Sequence, residues 1–439
     1  MFKSEGFQKY FKNFSWLFVD RVLRLVLIMG TTIIVGRYLG VERIGQLNYA
    51  LAVVSIAMVL TSLGANEVIS RDLVRHPERR DELLGSSAMI KLVGGVLLVL
   101  SLIIYCFAKS LDGMMIMLVM IMASAELFKW STVIEYYFLA QVEGKTSAKV
   151  NIISTVISSA YRLLLVYFGA PLVWFAYAAV LEIIFYTALY LWFYRRYGLR
   201  MRSWKPTWRM ARYILDQSWP MLVYGFALQA QLKIDQVMIF DILRNTMGEQ
   251  AANVEVGQYS VAVKMIEAMA FLPVILQLSL APAIARARIQ DVELYRQRIT
   301  NQYRLMFLLY IATAIPLFFL GEWVIVLLYG EEFREAGHLL SLFAFRLVFA
   351  YMGVAKGSFI TNESLFKFSL VTSVLGAVIN IGLNILLIPT MRSYGAIWAT
   401  LVSFLVSIFL VDLFTARTRV NFRMMMEGML TFWRIRSVR

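Results

Sequence analysis

The chain has 439 residues, 60% of them hydrophobic and only 16% charged, with a net charge of +15 at pH 7 and a mean hydropathy of +0.68. A soluble domain keeps roughly 25% charged residues, so this composition argues against a globular enzyme and for a membrane protein. The single cysteine, Cys106, excludes an intrachain disulfide, and two histidines, His76 and His338, argue against a His-rich metal site or a conventional catalytic triad.

The first apolar run, about 14–35, follows Lys3, Lys9 and Lys12 as a signal peptide would. It is longer than a roughly 7–15-residue signal core and ends in Gly36-Arg37 without a small-x-small cleavage site, so it reads as a retained span. Further apolar segments follow at about 44–68, 88–107, 114–138, 148–168, 172–194, 218–241, 256–281, 305–328, 338–360, 367–388 and 395–415. Each approaches the roughly 20 residues that a bilayer crossing needs. The expected fold is therefore all-α, with about twelve transmembrane helices.

Basic residues alternate sharply between the connections. One side collects Lys3, Lys9, Lys12, Arg71, Arg75, Arg79, Arg80, Lys145, Lys149, the run from Arg195 to Arg212, Arg286 to Arg304, Lys367, and Arg417 to Arg439. The other holds Arg37, Arg43, Lys109, Arg244, Arg334 and Arg392. By the positive-inside rule both termini are expected in the cytoplasm, and nucleic acid is not needed to explain the charge. The largest connection, 195–217, carries Trp204 and Trp208 and is expected to lie along the cytoplasmic interface. The expected organisation is a six-helix lobe over 1–194, this linker over 195–217, a second six-helix lobe over 218–416, and a basic cytoplasmic tail over 417–439.

The two halves share ordered similarities. Ser15-Trp16 is matched by Ser218-Trp219, and Ile44-Gly45-Gln46 by Val256-Gly257-Gln258. Lys149-Val150-Asn151 pairs with Lys367-Phe368-Ser369, and Gly169-Ala170 with Gly395-Ala396. An even number of spans per repeat inserts both copies the same way up, so the lobes should be related by an axis along the membrane normal, with substrate handled at their interface.

Charges placed mid-span are the strongest functional signal, because each costs about 2.5–3.5 kcal/mol or more in lipid and should face a bundle interior or wet cavity. The expected interior cations are Arg24, Lys129, Arg162, Lys233, Lys264, Arg346 and Lys356, and the anions Glu126, Glu182, Asp235 and Glu267, a basic surplus of three. Glu126/Lys129 and Lys264/Glu267 are i,i+3 pairs on one helix face. Arg24, Arg162, Lys233 and Arg346 are expected to lack a mid-span partner on their own helix. The functional reading is a cationic lumen of Arg24, Lys129, Arg162, Lys233, Lys264 and Arg346, since Arg and Lys are the usual partners of phosphate. The alternative for each is a structural ion pair or a snorkelling side chain. Polar stripes accompany these charges: Ser154, Ser158 and Arg162; Gln229 and Lys233; Asn380 and Asn384. They suit either a wet lumen or plain helix–helix hydrogen bonding. No GxxxxGK[ST] phosphate loop, HExxH, CxxC or Gly-x-Ser-x-Gly motif is present, so no nucleotide-hydrolysing or catalytic role and no cofactor or metal is expected.

The stretch Gly36-Arg37-Tyr38-Leu39-Gly40-Val41-Glu42-Arg43-Ile44-Gly45, followed by Leu63-Gly64 and Arg71-Asp72, resembles the opening spans of the polysaccharide-transporter flippases. These belong to the multidrug/oligosaccharidyl-lipid/polysaccharide exporter (MOP) superfamily. Ile234-Asp235, Tyr329-Gly330 and Ile388-Pro389 to Tyr394-Gly395-Ala396 extend the resemblance over nearly the whole chain. It departs at Leu63, where many relatives carry an acidic residue. The resemblance implies a central cationic cavity and ion-coupled alternating access in a bacterial inner membrane. It also implies export of an undecaprenyl-diphosphate-linked oligosaccharide, O-antigen or a similar repeat unit. A proton or sodium ion would couple through Asp235, Glu126 or Glu267, and polysaccharide polymerase and chain-length proteins would be partners. A drug/cation antiporter of the same superfamily is the first rival reading. A membrane glycosyltransferase or polymerase, which should show a large extramembrane loop, is the second.

Overall fold

An apolar backbone in lipid must satisfy its own N–H and C=O groups, and the helix does this within one segment. The computed structural model describes residues 5–434, with side chains from residue 15, and all regular structure among them is helical. Lys3, Arg436 and Arg439 lie outside the described residues, as do the side chains of Lys9 and Lys12. The contacts divide the chain into two units, Met1–Gln229 and Ala230–Arg439.

In the first unit, α1 (Glu5–Ala57) is two helices joined at Gly40, whose φ of 75° and ψ of 173° belong to a region that essentially only glycine enters. Next come α2 (Val59–Ser62) and α3 (Asn66–Arg75), separated by Leu63 and Gly64, both at positive φ. After α4 (Arg80–Ala108), a fourth segment is interrupted between α5 (Gly113–Glu126) and α6 (Thr132–Ala140). Then follow α7 (Gly144–Tyr167) and α8 (Leu172–Arg196). Asp112 starts α5 firmly, its carboxylate accepting from the Met114 and Met115 N–H groups.

The expected linker is short. A single turn at Met201–Ser203 leads into α9 (Trp208–Met247), so residues 208–217 are already helical. The connection is stitched to the start of α4. The Thr207 N–H donates to Ser86 Oγ (3.0 Å) and its hydroxyl to Glu82 Oε1 (2.7 Å). That hydrogen bond, with Arg79 beside it, holds the Glu82 carboxyl below its ordinary range. Trp204 Nε1 donates to the Tyr194 hydroxyl (3.0 Å).

In the second unit, α10 (Glu249–Met269) and α11 (Phe271–Gln290) meet at Ala270. The long α12 (Val292–Tyr329) is followed by α13 (Arg334–Phe343) and α14 (Arg346–Asn362), which are bent by 49° to each other. Helix α15 (Phe366–Phe404) is also two helices, broken at Arg392 (φ 49°, ψ −131°). It loosens into a wide π turn over Leu405–Phe409 and a tight turn over Leu410–Leu413. The expected tail is mostly helix: α16 (Ala416–Leu430) is seated on α12. There Arg304 donates to Thr431 (3.0 Å), Asn301 (2.8 Å) and Glu427 (3.0 Å), and the Tyr303 hydroxyl to Asn421 (2.8 Å).

Among the described residues, seven helices are long and apolar enough to cross a membrane, eight if the α13–α14 pair is one bent span. Large apolar side chains such as Ile104, Phe107 and Phe168 in one unit, and Phe319 and Leu386 in the other, are strongly exposed. Surfaces of this kind are rare on soluble monomers and suit acyl chains. The chain is a multi-pass α-helical membrane protein.

Candidate functional site

Within the first unit, the side chain of Arg24 is 2.9 Å from Asp20 on the same helix. The partner comes from near the start of the apolar run, outside the mid-span set, so the Arg24 side chain is held by a carboxylate all the same. One turn separates the two residues, so both face one side, and Asp20 is only 3% exposed. Glu126 and Lys129 pair at 2.6 Å as their spacing predicts. They flank the interruption between α5 and α6, and Glu126 also accepts from the Thr61 hydroxyl (3.0 Å).

Two further charged groups in this unit, one buried and one half-buried, sit toward the ends of their apolar segments. Lys91 is 3% exposed, donates to Asn66 Oδ1 (2.7 Å) and stands 5.3 Å above the Tyr136 ring. Glu135 accepts from the Tyr186 hydroxyl (2.5 Å) and from Asn151 (3.3 Å). Arg162 on α7 is half-buried, and among the described residues it makes no ion pair or hydrogen bond. Glu182 on α8 interacts with it through space and accepts from Thr155 (3.2 Å). The serine stripe is structural: Ser154 bonds to the Val150 carbonyl (2.8 Å) and Ser158 to that of Ala178 (3.2 Å).

Within the second unit, Lys233 on α9 pairs with Glu267 on α10 at 2.7 Å. The sequence spacing had matched Glu267 with the half-buried Lys264, one turn earlier on α10. Asp235 is 3% exposed and accepts from the Tyr259 hydroxyl (2.5 Å), Asn384 Nδ2 (2.7 Å) and the Thr400 hydroxyl. Those donors come from α10 and from both arms of α15, and no basic side chain pairs with Asp235 among the described residues. Arg346 opens α14 at the bend and is 7% exposed. Its guanidinium lies 5.7 Å from the Phe343 ring centre and 5.3 Å from that of Phe404, and no carboxylate approaches it within 4.0 Å among the described residues. Lys356 is bound to Asp412 (2.6 Å), and it donates to the Ile408 carbonyl (2.9 Å) in the wide turn after α15. This is the structural ion pair that was the alternative for such residues.

With these additions the interior bases are Arg24, Lys91, Lys129, Arg162, Lys233, Lys264, Arg346 and Lys356. The acids are Asp20, Glu126, Glu135, Glu182, Asp235, Glu267 and Asp412, so the basic surplus falls from three to one. Pairing separates them by role. Arg24, Lys129, Lys233 and Lys356 are held by carboxylates. Among the described residues Lys91, Arg162 and Arg346 have no carboxylate bound, whereas Glu135, Glu182 and Asp235 are held by neutral donors. Within each unit, cations without a bound carboxylate can attract an anion.

Residues 10–288 match the family model described as polysaccharide biosynthesis protein. No curated protein is similar enough to count as a match. Among solved structures, the fold is similar to a MOP superfamily transporter from Pyrococcus furiosus, described by the reverse polarity of its binding pocket. That likeness has a TM-score of 0.66 at 14% identity and covers 95% of this chain and 98% of the other. An outward-facing multidrug resistance MATE transporter aligns with a TM-score of 0.65 at 14% identity, over 99% of each chain. The lipid II flippase MurJ, in an inward closed conformation, gives 0.65 at 14% identity over 96% of this chain and 92% of its own. At these identities the likeness is one of fold, which is MATE-like.

Proposed function

We propose that this chain, which belongs to the polysaccharide biosynthesis protein family, is a secondary transporter of the MOP superfamily that moves an undecaprenyl-diphosphate-linked oligosaccharide from the cytoplasmic to the periplasmic leaflet of a bacterial inner membrane. The mode is ion-coupled alternating access. The observation that carries the reading is Arg346, a buried guanidinium with aromatic rings on it and no carboxylate bound. A permanently charged group is not kept in such a place without an anionic visitor or a wet path beside it. Arg162 and Lys91 support the same reading in the first unit. In this proposal they hold the diphosphate and acidic sugars while the prenyl tail stays in lipid. Asp235, with Glu126 and Glu267 as further candidates, exchanges the coupling ion, a proton or sodium. Counting both arms of α1, both arms of α15, and α9 brings the spans to twelve, with both termini cytoplasmic. The interruptions at α5–α6 and α13–α14 fall at corresponding places in a two-lobe repeat and support it.

The test is export of surface polysaccharide in cells that depend on this protein, with Arg162→Ala and Arg346→Ala made singly and Arg24→Ala and Lys233→Ala beside them. Loss of export at normal protein level in the first two is expected. Undiminished export in all four overturns the reading. The near-balance of interior charge favours a second reading, a drug/cation antiporter that uses the base-free carboxylates Glu135, Glu182 and Asp235. It predicts that a null strain exports polysaccharide normally and accumulates cationic dyes.

A further inference from the structure

The second unit contains a cavity of about 460 Å³ whose lining includes none of the buried charges described above. This is within the roughly 300–1,000 Å³ typical of small-ligand sites. It lies where α11 and α14 end and α12 and α16 begin, so it opens at one face of the membrane, the face where basic residues gather. Its wall carries Arg288, Arg296 and Arg417 against a single acid, Glu363. Its floor is apolar, formed by Phe359, Val420 and Met424.

The arginines differ in what holds them. Glu363 grips Arg288 through two contacts, at 2.8 and 3.2 Å. Arg296 has only a loose contact with Glu293 at 3.8 Å. Arg417, in the first turn of α16, makes no ion pair or hydrogen bond among the described residues. Two helix N-termini, of α12 and α16, add their partial positive charge at the same place. Guanidinium forks fit phosphate oxygens bidentately, and the apolar floor suits the glycerol and first methylenes of a lipid.

We propose that this cavity binds the phosphate headgroup of an anionic phospholipid of the surrounding bilayer, as basic pockets between membrane helices do at the cytoplasmic surface. The lipid's phosphate sits between Arg296 and Arg417, and Glu363 restrains Arg288 until the anion competes for it. The binding secures α16 on α12, so it stabilises the second unit from its membrane edge.

The experiment measures the thermal unfolding midpoint of the full chain in neutral detergent. The added probes are dioleoylphosphatidylglycerol, dioleoylphosphatidylcholine, inorganic phosphate and geranylgeranyl diphosphate. The anionic phospholipid is expected to raise the midpoint, because a ligand of the folded state stabilises it by mass action. Phosphatidylcholine and inorganic phosphate should not. The shift is expected to disappear in Arg296→Ala/Arg417→Ala, to persist in the charge-matched Arg202→Ala/Arg212→Ala, and to grow in Glu363→Gln. An equal shift with phosphatidylcholine, or an undiminished shift in the double variant, overturns the proposal. So does a shift with inorganic phosphate alone, which would mark a free-phosphate site. A shift with geranylgeranyl diphosphate alone would assign the cavity to a prenyl-diphosphate cargo and overturns it as well. The readout does not depend on export, so the proposal can fail while the transport reading stands.

Discussion

Lys356 shows how a single buried charge can be structural. Its ammonium meets Asp412 and also the Ser407 and Ile408 carbonyls in and beside the widened turn after α15. Removing one member of such a pair strands the other in a low-dielectric interior. Lys356→Met is therefore expected to destabilise the protein by about 3–5 kcal/mol, and Lys356→Met/Asp412→Leu to recover much of that loss. Unfolding of the purified protein by heat or denaturant measures both, and a single variant as stable as the parent would refute the assignment. The sequence could not supply this pair, since its members are 56 residues apart. The Asp20–Arg24 pair, by contrast, was legible one turn apart and was passed over because Asp20 stands near the start of its apolar run.

At the scale of elements, charge collects where helices are interrupted. Glu126 and Lys129 flank the break between α5 and α6, and Arg346 opens α14 at the bend. Lys264 and Glu267 lie in the last turns of α10 before Ala270, and Asp412 follows the loosened end of α15. Broken helices free N–H and C=O groups that lipid cannot satisfy, so they persist where polar side chains or a cavity serve them. Three of the glycines quoted for the family resemblance, Gly40, Gly64 and Gly330, mark such breaks. Gly64, at φ +73°, would place a Cβ 2.5 Å from the Ser218 carbonyl oxygen and the Leu222 nitrogen, where α9 closes on the chain. The Ser218 hydroxyl meanwhile bonds to the Leu63 carbonyl (3.0 Å). Gly64→Ala must therefore move backbone against backbone, and little monodisperse protein is expected when size-exclusion profiles of detergent extracts are compared with the parent. A Gly64→Ala profile indistinguishable from the parent would show that this contact is not required.

For the whole molecule, the asymmetry of basic connections is the one global feature that needs no tertiary contact. A green fluorescent protein fused after Arg439 is expected to fluoresce, and alkaline phosphatase fused at the same point to remain inactive. The opposite pair of results would invert the topology and remove the basis for cytoplasmic entry of substrate. The span count behaves differently. Apolar segments were readable one by one, but only seven or eight helices qualify by length and hydropathy. Among the described residues α9 is too polar, and α15 runs two segments together across Arg392.

Hydropathy, helical period and charge distribution are properties of neighbours along the chain. From them alone followed the membrane class, the helical architecture and the Glu126–Lys129 pair, while the resemblance to the family rested on short motifs such as Gly36 to Gly45. Which helices face one another is set by packing between segments far apart in sequence. Only the tertiary structure therefore decided that Glu267 takes Lys233, that Asp235 rests among neutral donors, that Lys356 is occupied by Asp412, and that no carboxylate pairs with Arg346 among the described residues.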